Sequence, residues 1–175
     1  VITPIRELLC MRKILVCVIV LLLLLCGCDS QKETEPLVSG IKFLAKITYY
    51  NEQYECDTVI SDEGKMQLTV NSPDTLKGLK IYMSDGKVTA EYLGITYEPK
   101  LDNMPFASIS KTVYMIITQI KKDNIKAKSD NSNCKICRKC DGRDYEFTFS
   151  PSGLPILLTV VNESYKIEFS NVTVV

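Results

Sequence analysis

The sequence predicts a mainly β fold: a curved antiparallel half-barrel sheet wrapped around one main amphipathic helix. Three observations carry that expectation. From Lys42 onward apolar and polar residues alternate, which is the period of a half-buried strand. Turn signals separate the alternating stretches at hairpin spacing, Asp85-Gly86 and Asp141-Gly142 being the strongest, because a type I′ turn needs positive φ at both central residues. One segment, 109–122, carries its apolar residues at helical spacing instead. A sheet with one wet face and a helix with one apolar stripe bury both surfaces by packing together.

The chain begins differently. Arg12 and Lys13 precede an uncharged run, Ile14 to Cys26, that falls well short of the roughly 20 apolar residues a crossing helix needs. It is the size of a signal-peptide h-region, with Met11 as the natural start, so residues 1–27 read as a signal peptide. Leu25-Cys26-Gly27-Cys28 resembles a bacterial lipobox. That resemblance implies diacylglyceryl transfer to the Cys28 thiol, cleavage after Gly27, and a lipid anchor of acyl chains such as palmitate. The other reading is an ordinary secretory signal with an incidental Cys28. Two or three acyl chains hold a protein far more durably than one, at about 0.8 kcal/mol per buried methylene. The expected location is the extracytoplasmic face of the cell membrane. Residues 28–40, polar with one proline, read as a tether, and 41–175 as the folded domain.

In KFLAKITYY, Phe43, Ala45, Ile47 and Tyr49 share a face, with Lys42 and Lys46 opposite. Tyr54, Cys56, Thr58 and Ile60 do the same in QYECDTVI, and Met66, Leu68 and Val70 in GKMQLTV. LKIYM, KVTAEYL, DYEFTF, PILLTV and SYKIEF repeat the pattern. Asp62-Glu63-Gly64 and Pro151-Ser152-Gly153 add further turns. Ser72 to Gly78 reads as one or two helical turns, with a cap, Pro73 at the first helical position and glycine at the stop. In ISKTVYMIITQIKK, residues 109–122, Ile109, Val113, Ile116, Ile117 and Ile120 form one stripe. The Tyr49-Tyr50 pair and Met66, Met83, Met104 and Met115 read as adaptable apolar fill of the core.

Composition narrows the function. The chain contains no histidine, which removes Ser-His-Asp and Cys-His catalysis and every histidine-ligated metal site. Its formal net charge is zero, without a basic stripe, which argues against nucleic acid as a partner. Asp57, Asp62, Glu63, Asp85 and Glu91 fall on wet faces or turns and read as solvated surface.

PDTLKGLKIYMSDGKVTAEYLGITYEPK, residues 73–100, resembles the LolA/LolB-like superfamily of lipoprotein-carrier folds. YEFTFSPSGLPILLTVVNESYKIEFSNV, residues 145–172, resembles the closing strands of its Gram-positive members. Among these the chain is most similar to clostridial sporulation and germination lipoproteins of the GerS type. The resemblance implies a half-open barrel with an apolar concavity, which in the carriers accepts acyl chains. In the GerS-type proteins it implies a partner for a cortex-modifying amidase. Candidates to line such a concavity are Phe43, Ile47, Tyr54, Met66, Leu68, Ile81, Met83, Phe147 and Phe149. Two departures stand out: the apparent lipid anchor suits a fixed post better than a shuttle, and no long helix precedes the first strand.

Cys134-Lys-Ile-Cys137-Arg-Lys-Cys140 is the stretch that looks most like a site. With Cys56 it supplies four thiols, and four thiolates are a zinc-binding set. Lys135, Arg138 and Lys139 would lower the thiol pKa values and raise reactivity. Geometry counts against one metal site: on a strand, Cys134 and Cys140 face one way and Cys137 the other. Structural disulfides or inert thiols rank ahead of metal, and metal ahead of redox chemistry.

The expectation is therefore a membrane-anchored, non-enzymatic binding module without cofactor. Its partner would be an envelope protein such as a peptidoglycan amidase of sporulation. The alternative is a lipid or lipoprotein carrier or acceptor that holds acyl chains in the concavity. An enzyme or metal protein built on the Cys134–Cys140 cluster ranks third.

Overall fold

A computed structural model describes residues 33–101, 104–130 and 132–175. The expected signal peptide, the cleavage site after Gly27 and the anchor Cys28 lie outside the described residues. Twelve strands in the described residues form one antiparallel sheet. In chain order they are β1 (Glu33–Thr34), β2 (Ile41–Tyr49), β3 (Glu52–Ile60), β4 (Met66–Ser72), β5 (Lys80–Ser84), β6 (Lys87–Tyr92) and β7 (Ile95–Tyr97). Helix α1 (Pro105–Lys122) follows, then β8 (Ala127–Asp130), β9 (Asn133–Cys140), β10 (Arg143–Phe149), β11 (Pro155–Val160) and β12 (Tyr165–Val174). In space the order runs β1-β8-β9-β10-β11-β12-β2-β3-β4-β5-β6-β7, so among the described residues β1 and β7 are the edges of the sheet.

Alternation places the core where the sequence puts it. Phe43, Ala45 and Ile47 on β2, Tyr54, Cys56, Thr58 and Ile60 on β3, and Met66, Leu68 and Val70 on β4 are all buried. Inward aromatics from three strands meet: Phe43 and Phe169 have ring centroids 4.9 Å apart, Phe169 and Phe147 5.3 Å, Phe147 and Phe149 4.3 Å. Both Asp-Gly turns have positive φ at both residues, Asp85 +52° with Gly86 +75° and Asp141 +49° with Gly142 +77°. That is the type I′ backbone whose twist matches the flanking strands.

The sheet must curl. Helix α1 lies against β5 on one flank and β9 on the other. In the flat sheet β10, β11, β12, β2, β3 and β4 would separate those strands by roughly 34 Å at about 4.8 Å per step. A helix about 10 Å across touches both only if the sheet bends around it. Wrapping on two sides also explains a helix rich in β-branched residues. Its buried set is Phe106, Ala107, Ile109, Ser110, Thr112, Val113, Tyr114, Ile116, Ile117 and Ile120, more than half its circumference. Tertiary burial outweighs the few tenths of a kcal/mol that each β-branched residue costs in propensity. Buried hydroxyls bond back to their own helix, Ser110 Oγ to Phe106 O at 2.8 Å and Thr112 Oγ1 to Ser108 O at 3.1 Å.

Several expectations need correction. The helix starts at Pro105, a turn before residue 109, because Phe106 and Ala107 already pack in the core. It ends in a Schellman cap, with Asn124 at φ +48°, Ile125 N–H donating to Ile120 O at 3.0 Å and Asn124 N–H to Lys121 O at 3.3 Å. Pro73 is the N-cap of a single 3₁₀ turn, Asp74–Leu76, and not its first helical residue. A longer helix has no room there. The ladder resumes at once, with Gly78 N–H donating to Val70 O and Val70 N–H to Leu79 O, both at 2.9 Å. Residues 33–40, expected as tether, make contacts with the sheet: β1 pairs with β8, Val38 is buried, and Leu37 N–H donates to Gly153 O at 2.8 Å. Polar composition hid this, since β1 is held by backbone bonds and not by apolar side chains. Strands β7 and β8 were likewise unmarked by alternation. Tyr50 is not core; at a turn with φ +50° it is 68% exposed.

Candidate functional site

The nine candidates for a lined concavity, Phe43, Ile47, Tyr54, Met66, Leu68, Ile81, Met83, Phe147 and Phe149, are each 5% exposed or less. They belong to the core packed with α1, so the middle of the concavity is filled by side chains. Open space survives at one end. A groove of about 790 Å³ runs along the C-terminal half of α1, bounded by the Glu63-Gly64 and Asp85-Gly86 turns on one side and by Cys140 on the other. Tyr114, Met115 and Ile117 give it an apolar lining, and Lys121, Lys122 and Asp123 a charged rim. Lys121 donates to the Asp62 carbonyl, pinning the helix end to the β3–β4 turn. A second groove, about 860 Å³, opens beside the ends of β3 to β6, where two of the nine candidates, Met66 and Met83, form part of the wall together with Lys65, Lys87, Glu63 and Asp85.

Beside the α1 groove lies a seam of incomplete hydrogen bonding. Gln119 Oε1, Tyr145 Oη and Tyr165 Oη are buried atoms without a hydrogen-bond partner. Burial pushes the Tyr145 phenol up to about 12 and raises that of Tyr165 further still. Both phenols feel the nearby Cys140, a wall of the groove. Tyr145 also lies in the field of Arg138, its cross-strand neighbour, and of Asp123 at the end of α1. Thr112, whose hydroxyl donates to Ser108 O, keeps acceptor lone pairs facing the Tyr165 phenol, although the two hydroxyls do not form a well-aligned bond. These residues escaped sequence reasoning. The available signal was weak: Thr112 and Gln119 are two of several polar residues on α1.

The cysteine stretch is a strand. On β9, Cys134 and Cys140 are buried and Cys137 is exposed, so the alternation argument holds. Cys134 and Cys140 are roughly 20 Å apart along the strand, too far to bridge. Cys56 is on β3, with β10, β11, β12 and β2 between it and β9 in the sheet. All four are free thiols, and no group of three or more ligand-type side chains gathers in the described residues. The expected lowering of thiol pKa is reversed where a shift is seen. Burial pushes Cys56 up to about 12, and burial followed by the Asp141 carboxylate raises Cys140. The lysines are engaged across the hairpin, Lys135 with Glu146 at 3.0 Å and Lys139 with Asp144 at 3.5 Å. Cys134 Sγ donates to Thr34 Oγ1 at 3.2 Å, helping hold β1.

The other feature is the edge at β7. All three of its residues are exposed, and Leu93 at 84%, Ile95 at 67% and Tyr97 at 38% form an apolar patch beside an unpaired backbone edge. Leu93 and Gly94 have φ of +51° and +78°, a tight turn that projects the patch outward.

No helix in the described residues is long and apolar enough to cross a membrane. No family model matches the chain, and no curated protein matches it. Among solved structures it is similar to the crystal structure of a LolA superfamily protein from Nitrosomonas europaea. The match has 7% identity and a TM-score of 0.42, and covers 77% of this chain and 84% of that one. The open antiparallel half-barrel around a single helix is established by its own register and burial.

Proposed function

We propose that the protein is a lipid-anchored, non-enzymatic binding module on the extracytoplasmic face of the membrane, and that its partner is an envelope protein. The observation that carries this reading is the apolar edge at β7. An edge strand with unpaired backbone groups and exposed Leu93, Ile95 and Tyr97 is a template for strand addition by a partner. The lipobox at Leu25 to Cys28 supplies the anchor. The GerS-type resemblance supplies the partner, a cortex-modifying amidase of spore formation. A chain without histidine suits binding better than hydrolysis.

The test is binding of the full chain to purified amidase, comparing wild type with Leu93→Lys/Ile95→Lys. Charges on the edge should weaken the complex at least about tenfold if the edge is the contact. Equal binding by both proteins, or none by wild type, would sink the reading. The anchor is tested separately: Cys28→Ala should leave the protein in the soluble fraction.

A second reading, a carrier or acceptor of acyl chains, is favoured by the groove along α1. Its volume of about 790 Å³ falls within the range of ligand pockets, and Tyr114, Met115 and Ile117 give one wall an apolar surface. Acyl-sized mass that copurifies with the protein and is lost on denaturation would support it.

A further inference from the structure

Residues 33–40 cross the C-terminal end of α1 on a slight attachment. β1 contributes two residues paired with β8, Leu37 N–H donates to Gly153 O, and of residues 33–39 Val38 alone is buried. Glu35 adds an ion pair with Lys126 at 3.2 Å, but its carboxylate is mostly exposed and water screens it. A segment that loses so few apolar contacts and backbone bonds opens well before the fold does. Its seat is nevertheless specific. Gly153, at φ +84°, passes so close to Glu35 that a Cβ would stand 2.3 Å from its carbonyl oxygen. The buried Cys134 thiol donates to the Thr34 hydroxyl, so β1 helps to cover it.

Between this segment and the helix lies a cavity of about 350 Å³, walled by Pro36, Leu37 and Val38 on one side and by Ile120 and Ile125 on the other. Ser39 and Lys121 line both this cavity and the 790 Å³ groove along α1, and so stand between the two. Lys121 is fixed by the Asp62 carbonyl, whereas Ser39 moves with its segment. We infer that residues 33–40 are a releasable strap, which closes one end of the α1 groove when seated and extends the groove over Ile120 and Ile125 when it lifts. This gating rests on the acyl-binding reading of the groove and adds its regulation. The surface uncovered is apolar, as an acyl chain requires. On the lipid-anchor reading, Cys28 stands five residues before Glu33, roughly 17 Å of extended chain, so a pull away from the membrane reaches the strap first. Release frees the eight residues 33–40 as further tether, about 27 Å more. One event then lets the domain stand off the bilayer and opens its groove.

The free thiols report on the strap directly. Cys134 is covered with the help of β1, Cys140 lies on the groove wall, Cys56 is in the core and Cys137 is exposed. The full chain is pulsed with iodoacetamide and, separately, with fluorescein maleimide, and each cysteine is read by peptide mass mapping. In wild type Cys134 should react more slowly than Cys137 but at least about tenfold faster than Cys56, because strap release uncovers the one and global unfolding the other. Equal protection of Cys134 and Cys56 would mean that the strap opens only with the whole domain, and would overturn the inference. Two variants then unseat the strap: Val38→Asp puts a charge in its buried position, and Gly153→Ala drives a Cβ into the Glu35 carbonyl. Each should raise labelling of Cys134 and of Cys140 by the bulky maleimide about tenfold, with Cys56 still protected. A gain at Cys134 without one at Cys140 would mean that the strap moves without governing the groove, and would also overturn the inference. Retention of perdeuterated palmitate, read by native mass spectrometry, should be greater in both variants than in wild type. Equal retention would overturn the gating and leave the acyl-binding reading standing, whereas retention by none of the three proteins would end both.

Discussion

At the scale of single residues, Cys56 shows how burial becomes a pH dependence. It is wholly buried, and its thiol is pushed from about 9 up to about 12, chiefly by loss of water and then by Asp57 and Glu55. A proton held more tightly in the folded than in the unfolded chain stabilises the fold below the unfolded pKa. That stability is lost as pH rises through the folded value. Urea midpoints should accordingly fall between pH about 9 and about 12. Cys56→Ala should shrink that decline and leave the parts owed to Cys140, whose thiol is raised as well, and to Tyr145, which ionises at about 12. Identical pH profiles for the two proteins would refute this account. Gly153 makes a second case. It has φ +84°, and a Cβ there would overlap the Glu35 carbonyl oxygen, a backbone atom that cannot step aside. Gly86 has φ +75° and open space around it. Gly86→Ala should cost about 1 kcal/mol for the backbone conformation alone, and Gly153→Ala clearly more, about 2 kcal/mol or above. Chemical denaturation of the pair isolates the clash from the φ term.

At the scale of elements, α1 is held by what it buries and by how it ends. Ile116 is fully buried between the flanks of the sheet, so Ile116→Ala should destabilise the domain by about 2–5 kcal/mol. Thr118→Ala, on the exposed side, should change stability by less than about 0.5 kcal/mol. Denaturant titration of both tests whether one face alone carries the helix. The signals for α1 were uneven along its length. The isoleucine stripe marked its middle, and Asp123-Asn124-Ile125 was a readable cap, with asparagine at the left-handed position. Its first turn was harder to read, because Pro105 suits either a loop or a helix start. Strands fared in the same way: β2 to β6 and β10 to β12 follow alternation, whereas β1 has too few residues for any period.

At the scale of the whole molecule, the open sheet predicts a gradient of local stability. β12 pairs with β2 through a long register, Tyr165 opposite Tyr49 to Val174 opposite Ile41, near the middle of the sheet. Among the described residues β1 and β7 each have a single neighbour. Amide hydrogen exchange should be slowest along β2 and β12 and fastest at β1 and β7. Uniform protection from edge to edge would contradict the open architecture. Binding should show in the same measurement. A protein strand added at β7 would protect β6 and β7, whereas a ligand in the groove would protect α1 and β9 without touching that edge.

What the sequence determined by itself is what depends on neighbours along the chain. Alternation decides which side chains of a strand share a face, a 3.6-residue period decides which face of α1 is apolar, and two Asp-Gly pairs set two hairpins. The same local logic placed Cys137 opposite to Cys134 and Cys140. The tertiary structure decided everything that depends on distance across the chain. Inward-facing residues line a cavity or fill a core depending on how tightly the sheet curls around α1, and here Phe43, Met83, Phe147 and their companions fill it. Whether a lysine activates a thiol depends on what else it meets, and Lys139 meets Asp144. Tyr145 and Tyr165 read as ordinary inward aromatics in the sequence. That their hydroxyls end without partners beside Cys140 is a property of three strands and a helix brought together, and no period along the chain records it.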